Sequence, residues 1–313
     1  MTLVSIVAPV YNGADFIEES IQSVLGQTYP RLEYIIMDGG SQDGTVEIAQ
    51  RYAALHPDKM TVVSERDSGQ SNAINKGWQR AKGDVLTWLN ADDLYLPDTV
   101  EQAVRYFQAH PQTAWLYGCP RLVNADGTPN AFRHHTLPWN YDQLLKFGCY
   151  ITQPTVFLRR EVVDQCGLID ESLHYGMDYD YWLRIGKRYP AAFVPQVRAI
   201  VKIFPETKSR SGGYKRLLEL EQIVRRHGGA ELPATLRHQW VEGVLDELAR
   251  AVRVGQWSEF QARWAELWRY PRWVGHGTAK WLLRRLPSGL ERCLRRRLVK
   301  DPYADPDDPC AWT

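Results

Sequence analysis

The first ninety residues alternate short, unbroken apolar runs with segments of helical spacing, and this alternation restricts the fold more than any other feature of the chain. The run 3–8 (Leu-Val-Ser-Ile-Val-Ala) has the character of a strand buried on both faces of a parallel sheet. Phe16, Ile17, Ile21, Val24 and Leu25 then recur at helical spacing. The run 32–37 reads as a second strand, and the turn cluster Asp38-Gly39-Gly40-Ser41 opens a helix around 46–48. A third strand at 61–63, a third helix at 73–81 and a fourth strand at 85–89 continue the series. Strands joined in this order by short crossovers make a doubly wound, mostly parallel α/β sheet with right-handed connections. Such sheets bind ligands at the carboxyl ends of their strands. Pro9-Val10-Tyr11-Asn12, Asp38, Ser64-Glu65-Arg66-Asp67 and Asn90-Ala91-Asp92-Asp93 are all expected on that edge.

The last of these segments carries the most chemistry. Two adjacent carboxylates at the end of a buried strand repel each other unless a hard cation or a donor such as a ribose hydroxyl takes up the charge. A magnesium or manganese ion carrying a sugar nucleotide does both. The plainer alternative is a solvated loop in which Asp92 or Asp93 caps a helix starting near Leu96-Pro97.

Composition permits a full core: of 313 residues, 44% are hydrophobic and 24% charged. A net charge of +1 gives no global reason to expect nucleic acid as a partner. Five cysteines without CxxC spacing argue against a zinc site or a disulfide framework and fit a reducing compartment. The N-terminus lacks a basic leader segment, and no uncharged run reaches the ~18–20 residues of a membrane span. The expectation is a cytoplasmic protein. Beyond about Trp115 the texture changes: a hairpin-type turn at Asn124-Ala125-Asp126-Gly127, a strand at 153–158, helices at 161–166 and 179–188, and a last strand at 197–204. From Gly213 onward the chain is mainly helical and rich in Trp and Arg, with a boundary placed near Gly228-Gly229.

Three stretches, in order, resemble glycosyltransferase family 2, the inverting enzymes of the GT-A fold. They are SIVAPVYNGADFIEESIQSVLGQTYPRLEYIIMDGGSQDGT, SERDSGQSNAINKGWQRAKGDVLTWLNADD and QPTVFLRREVVDQCGLIDESLHYGMDYDYWLRI. The resemblance implies a GT-A domain over 1–227, with a nucleotide-sugar half (1–115) and an acceptor half (116–227), followed by a helical extension over 228–313. It also implies site residues. Pro9 and Tyr11 would lie on the loop that cradles the nucleotide base, and Asp38 would accept a hydrogen bond from a base N–H. Asp92 would meet the ribose or the metal's hydration shell, and Asp93 would ligate a Mg2+ or Mn2+ ion. Asp67 reads equally well as a donor contact and as an exposed loop acid. In Met177-Asp178-Tyr179-Asp180-Tyr181-Trp182, Met177 stands where relatives often carry Glu, and Asp178 keeps the position of the catalytic base. The competing role for Asp178 is the N-cap of the 179–188 helix. Trp182 is expected in the core or as a platform for the acceptor sugar.

The sequence departs from the family pattern twice. Ile74 occupies a slot where many relatives carry an Arg that contacts phosphate or base, which leaves Lys76, Arg66 or no residue to do that work. The last donor-side loop has no His; its Lys208 and Arg210 read equally well as cations closing over a diphosphate and as a solvated basic loop. A QxxRW motif and membrane spans, marks of processive relatives, are absent, so transfer of a single sugar is expected. The partners implied are a nucleotide-diphosphate sugar and a saccharide or lipid-linked acceptor.

From Arg269 to Lys300 there are ten Lys or Arg and one acid. Leucines at 282, 286, 290, 294 and 298 keep an i+4 spacing among these arginines, interrupted by Pro287 and Gly289. Peripheral contact with an anionic membrane and packing of the leucines on the catalytic domain are both open for this segment. Two other functions compete with transfer: a sugar nucleotidyltransferase, which needs a Gly-rich basic loop after the first strand, and a scaffold of the same fold without turnover.

Overall fold

The computed structural model describes residues 1–130, 136–204, 207 and 212–283. In chain order its elements are β1 (Val4–Val10), α1 (Ile17–Leu25), β2 (Leu32–Asp38), α2 (Thr45–Leu55), β3 (Met60–Ser64), α3 (Gln70–Arg80), β4 (Val85–Trp88), β5 (Leu94–Tyr95) and α4 (Thr99–Ala109). Then come β6 (Trp115–Asn124), α5 (Tyr141–Phe147), β7 (Phe157–Arg159), α6 (Arg160–Cys166), α7 (Met177–Gly186) and β8 (Ala192–Ile203). Four further helices follow: α8 (Gly213–Arg226), α9 (Arg237–Arg253), α10 (Trp257–Leu267) and α11 (Pro271–Leu283). Among the described residues the chain forms two compact units. One holds Met1–Tyr141 and Cys149–Thr207, and the other holds Asp142–Gly148 and the helices from α8 onward.

The first unit is built on one sheet of order β3-β2-β1-β4-β7-β6-β8-β5. Strands β3, β2, β1 and β4 are parallel, β7 runs antiparallel to β4 and β6, and β8 lies parallel to β6. All seven residues of β1 are buried, as a central parallel strand requires. The register places Val10 beside Asp38 and Asp38 beside Ser64, so the carboxyl ends of these strands finish level. One face of the sheet packs Ile6 and Ile36 against α1 and α4 through Ile17, Ile21, Val24, Val100, Val104 and Phe107. The unit also holds a buried stack of rings: Trp182 lies nearly parallel to both Trp88 and Trp115, at 5.5 and 5.6 Å between centroids. Trp78 meets Trp88 edge-on. Each such ring contributes about 4–6 kcal/mol of transfer free energy, an upper bound.

Several elements differ from the sequence reading. Helix α3 starts at Gln70, three residues early, and α7 starts at Met177. The stretch expected as a strand over 153–158 opens with a 3-10 turn at Gln153–Thr155, leaving only Phe157–Arg159 in the sheet. Pro154 has no N–H to give a ladder, which favours the turn. Strand β8 begins at Ala192, five residues before the expected start. Among the described cysteines, Cys149 and Cys166 are free thiols, whereas Cys119 is disulfide-bonded.

In the second unit α8 to α11 pack around Trp240, which is fully buried. Buried Glu221 accepts hydrogen bonds from Arg225 and from Arg269, tying α8 to the α10–α11 turn. No helix among the described residues is long and apolar enough to cross a membrane. The Lys/Arg-rich leucine pattern of 284–300 lies outside the described residues.

Candidate active site

The β1 edge loop is fixed by its neighbour. Ser41 Oγ accepts from Asn12 N (2.7 Å), Asn12 Oδ1 from Gln42 N (3.0 Å), Thr45 Oγ1 from Gly13 N (2.9 Å) and Asp43 from Ala14 N (3.0 Å). Asn12 takes the left-handed conformation (φ 50°) that Asn tolerates well. Pro9 is buried in the strand, while Tyr11, next to this strapped turn, is 66% exposed. An aromatic ring held in solvent on a rigid loop is free to stack on a flat ligand.

Asp38 ends β2 and is buried. Its Oδ2 accepts from Gly40 N (3.0 Å), Ser41 N (3.1 Å) and Ser64 Oγ (2.6 Å). Its Oδ1 has a single long contact among the described residues, with Ser41 N at 3.4 Å, and keeps accepting capacity. The turn-organising role of this carboxylate is therefore present, carried almost wholly by one oxygen. Asp67 sits close by: a Cβ added to Gly39 would lie 2.8 Å from Asp67 Oδ2. Asp67 Oδ1 accepts from Gly69 N at 2.8 Å, just before α3. Ile74 is fully buried and makes no polar contact possible at that slot. Lys76 pairs with Glu65 (3.0 Å) and donates to the Arg66 carbonyl (3.0 Å), while Arg66 itself is exposed.

Asp93 is 3% exposed, and Asp92 beside it is half-buried. Neither caps a helix. The residues after them form β5, and α4 begins at Thr99 with Asp98 at its cap position, so the capping alternative is overturned. Asp93 Oδ2 accepts from Asn90 Nδ2 (3.1 Å), and Asn90 Oδ1 accepts from Gln70 Nε2 (2.7 Å). Gln153, whose Nε2 donates to the Trp88 carbonyl (2.7 Å), lies on the far side of Asn90. Burial, then the neighbouring Asp92 charge, hold the Asp93 carboxyl well above the usual carboxylate range. Burial pushes Asp92 up as well, and the Lys202 ammonium opposes both shifts.

Lys202 is a residue the sequence reading missed. It lies on β8 and pairs with Glu19 of α1; its position near the acids comes from sheet pairing across more than a hundred residues, which no spacing rule reveals. The same holds for Gln70 and Gln153. The donor set at Asp92-Asp93 is all oxygen, buried and short of positive charge, which fits a hard divalent ion. Among the described residues no cluster of three or more His, Cys, Asp or Glu exists, so further ligands would be water and bound-substrate oxygens.

At α7, Met177 is buried and receives a hydrogen bond from Ser71 Oγ at 2.7 Å. Asp178 is half-buried at the second helical position, not the cap, and its Oδ1 accepts from Tyr179 N at 2.7 Å. The carboxylate thus serves the helix start from inside the first turn. Asp180 turns into the fold, 2% exposed, with Arg184 Nε 3.9 Å from its Oδ2, on a different helix face from Asp178 as its i+2 spacing requires. Trp182 is fully enclosed by Trp88 and Trp115, and the expectation of an acceptor-sugar platform there is corrected: a ring with no exposed face cannot stack on a sugar. The first turn of α3 thus faces two ways, Gln70 to Asn90 beside the acid pair and Ser71 to the start of α7. Lys208 and Arg210 lie outside the described residues.

Residues 5–166 match the family model described as Glycosyl transferase family 2. The chain belongs to glycosyltransferase family 2. The matched stretch takes in the strand-edge loops and the acid pair and ends before α7, so Asp178 lies beyond it. An uncharacterised glycosyltransferase of Nostoc sp. (strain PCC 7120) is 33% identical over 276 residues, 86% of this chain and 84% of the relative. A putative teichuronic acid biosynthesis glycosyltransferase of Bacillus subtilis is 34% identical over 190 residues, 59% of this chain and 73% of its own. An uncharacterised glycosyltransferase of Rickettsia typhi is 32% identical over 193 residues, and the match spans only 58% of that protein. In the relatives from Rickettsia conorii and Rickettsia bellii the matched share falls to 32% and 27%.

Solved structures show the same GT-A architecture. A mannosyltransferase from Pyrobaculum calidifontis, in complex with GDP-Man and Mn2+, superposes with a TM-score of 0.58 at 20% identity, covering 95% of this chain and 87% of that one. Staphylococcus aureus TarS 1–349 in complex with UDP-GlcNAc gives 0.55 at 13% identity, covering 83% and 90%. At these identities the likeness concerns the fold of this family 2 chain.

Proposed function

We propose that this chain transfers one glycosyl unit from a nucleotide-diphosphate sugar to a saccharide or lipid-linked acceptor, with inversion at the anomeric carbon. The observation that supports it most is the convergence of Tyr11, Asp38 and Asp67 on one sheet edge with the buried Asp92-Asp93 pair, and of that pair with α7 through the first turn of α3. In this reading the Tyr11 ring packs on the base, the open Asp38 oxygen accepts a base N–H, and Asp67 lines the same end of the pocket. Asp92 meets the ribose, and Asp93 holds a Mg2+ or Mn2+ ion. When bound, that ion offsets the charge that builds on the departing diphosphate. Lys208 and Arg210 contribute cations to the diphosphate.

Asp178 acts as the base. The acceptor oxygen bonds to the anomeric carbon as the bond from that carbon to the phosphate oxygen breaks, and the acceptor proton passes to the Asp178 carboxylate. The Tyr179 N–H bond holds one Asp178 oxygen in place. The Mn2+ and GDP-Man of one structural neighbour, the UDP-GlcNAc of the other, and the teichuronic acid biosynthesis in the name of the Bacillus subtilis relative support a metal-dependent transfer in polysaccharide assembly.

Asp178→Asn tests the assignment. It keeps an oxygen for Tyr179 N–H, so donor affinity should stay near wild type while transfer falls about a hundred- to ten-thousand-fold. Equal loss of donor binding and transfer would remove Asp178 from the base role.

A further inference from the structure

Helix α10 packs with one side only. Its buried or half-buried positions are Glu259, Phe260, Arg263, Glu266 and Leu267, and the two acids there are ion-paired, Glu259 with Arg250 and Glu266 with Arg263. Flanking that side, Trp257, the half-buried Phe260, Trp264 and, one residue past the helix, Trp268 recur at spacings of three, four and four residues, which is a single helical stripe. Trp257, Trp264 and Trp268 are 64%, 49% and 53% exposed. The rings touch in series: Trp257 with Phe260 at 6.0 Å, Phe260 with Trp264 at 6.1 Å, and Trp264 with Trp268 at 6.3 Å. Val252, in the last turn of α9, and Val254, just past it, are exposed as well. Isolated exposed apolar side chains need no explanation; a contiguous row of three indoles and a phenyl ring does.

We propose that this aromatic face of α10 is a membrane-docking surface that inserts shallowly into the headgroup region of an anionic bilayer. Three observations select that occupant. Indoles, with an apolar body and one N–H donor, are the side chains best suited to the water–lipid boundary. The charge along the described part of this segment is complementary to an anionic surface: residues 250–283 hold six Lys or Arg and two Glu, and both acids are already paired inside the helical unit. Exposed Arg253 and Arg272 bracket the aromatic row in sequence. A second copy of the same face would bring this basic excess against itself. A glycan platform would need open ring faces and hydrogen-bonding groups between them. Here the rings lean on one another, which covers part of the ring faces a sugar would stack on. The inference does not depend on the proposed chemistry, because docking is read without turnover.

The experiment is vesicle flotation of the full chain with phosphatidylcholine alone and with phosphatidylcholine containing about 30% phosphatidylglycerol. The wild type should float with the anionic vesicles, much less with the neutral ones, and less again as salt is raised. The triple variant Trp257→Gln, Trp264→Gln, Trp268→Gln should lose about tenfold or more of that partitioning at an unchanged thermal midpoint. Should the triple variant fail to fold, brominated lipid should still quench part of the wild-type tryptophan fluorescence, a readout that needs no substitution. Absence of flotation and quenching in the wild type, equal flotation with neutral vesicles, or undiminished flotation of a folded triple variant would overturn the proposal. So would a wild-type dimer that the triple variant dissolves, since that assigns the face to a second copy.

Discussion

The Ser71 hydroxyl donates to the Met177 sulfur at 2.7 Å, joining the first turn of α3 to the first turn of α7 inside the protein. On the same α3 turn, Gln70 holds Asn90, which holds Asp93. A thioether is a weak acceptor, so this joint rests as much on the packing of Met177 as on the hydrogen bond. The proposed base and the proposed metal ligand are thus set from opposite sides of one helical turn.

Removing that contact should therefore disturb catalysis more than its energy suggests. Ser71→Ala is expected to lower stability by about 0.5–1.5 kcal/mol. It should reduce kcat while the donor affinity stays within a few-fold. Urea unfolding and steady-state kinetics check this together; a loss confined to donor affinity would mean that Ser71 positions the donor side alone.

Gly39 and Gly44 separate a site effect from a backbone effect. At Gly39 an added Cβ meets Asp67 Oδ2 at 2.8 Å, whereas at Gly44 it meets nothing within 4 Å but the backbone is left-handed (φ 97°). Gly39→Ala should displace Asp67 and weaken nucleotide binding. Gly44→Ala should lose roughly 1–2 kcal/mol of stability and bind nucleotide normally. Calorimetric titration of both variants with nucleoside diphosphates distinguishes them, and equal affinities would remove Asp67 from the donor pocket.

How much of this was legible in the sequence depends on the range of the interaction. The apolar runs at 3–8 and 32–37 placed the first two parallel strands, observed at Val4–Val10 and Leu32–Asp38, to within two residues at each end. Asp38, Asp92 and Asp93 were found because turn residues and paired acids follow directly after such strands. Lys202, Gln70 and Gln153 were not, because only sheet and helix packing bring them to Asn90 and the acid pair. Trp182 was only half read: one aromatic in an amphipathic helix has the same sequence signature in a core as at a surface. The stacking of Trp88, Trp115 and Trp182 decides it.

That stack makes Trp182 a stability residue. Trp182→Ala should cost about 3–5 kcal/mol and shift the denaturation midpoint accordingly, without changing which acceptor is used by the remaining folded protein. A folded, stable variant with altered acceptor choice would contradict the buried assignment.

The acid pair fixes the sign of a pH effect. Asp92 and Asp93 both have folded-state pKa values above the ordinary ~4 of an unfolded carboxyl. Through that interval the folded state binds more protons than the unfolded chain. Metal-free stability contributed by this pair is therefore greatest at the acid end and is lost as pH rises through the raised values. A divalent ion, which takes the ionised pair, should reverse the trend. The readout is the wild-type minus Asp93→Ala difference in urea midpoint across pH, with and without Mn2+; a metal-free difference that grows with rising pH would contradict the buried, mutually repelling pair.

The most direct test of donor binding is thermal stabilisation of the wild type and Asp93→Ala by UDP-, GDP-, dTDP- and CMP-sugars, each with and without Mn2+. The expected result is a midpoint increase for one nucleotide class that requires the metal and disappears in Asp93→Ala. If no nucleotide stabilises the wild type under any metal condition, the strand edge is not a donor site, and a family 2 fold without turnover becomes the better description.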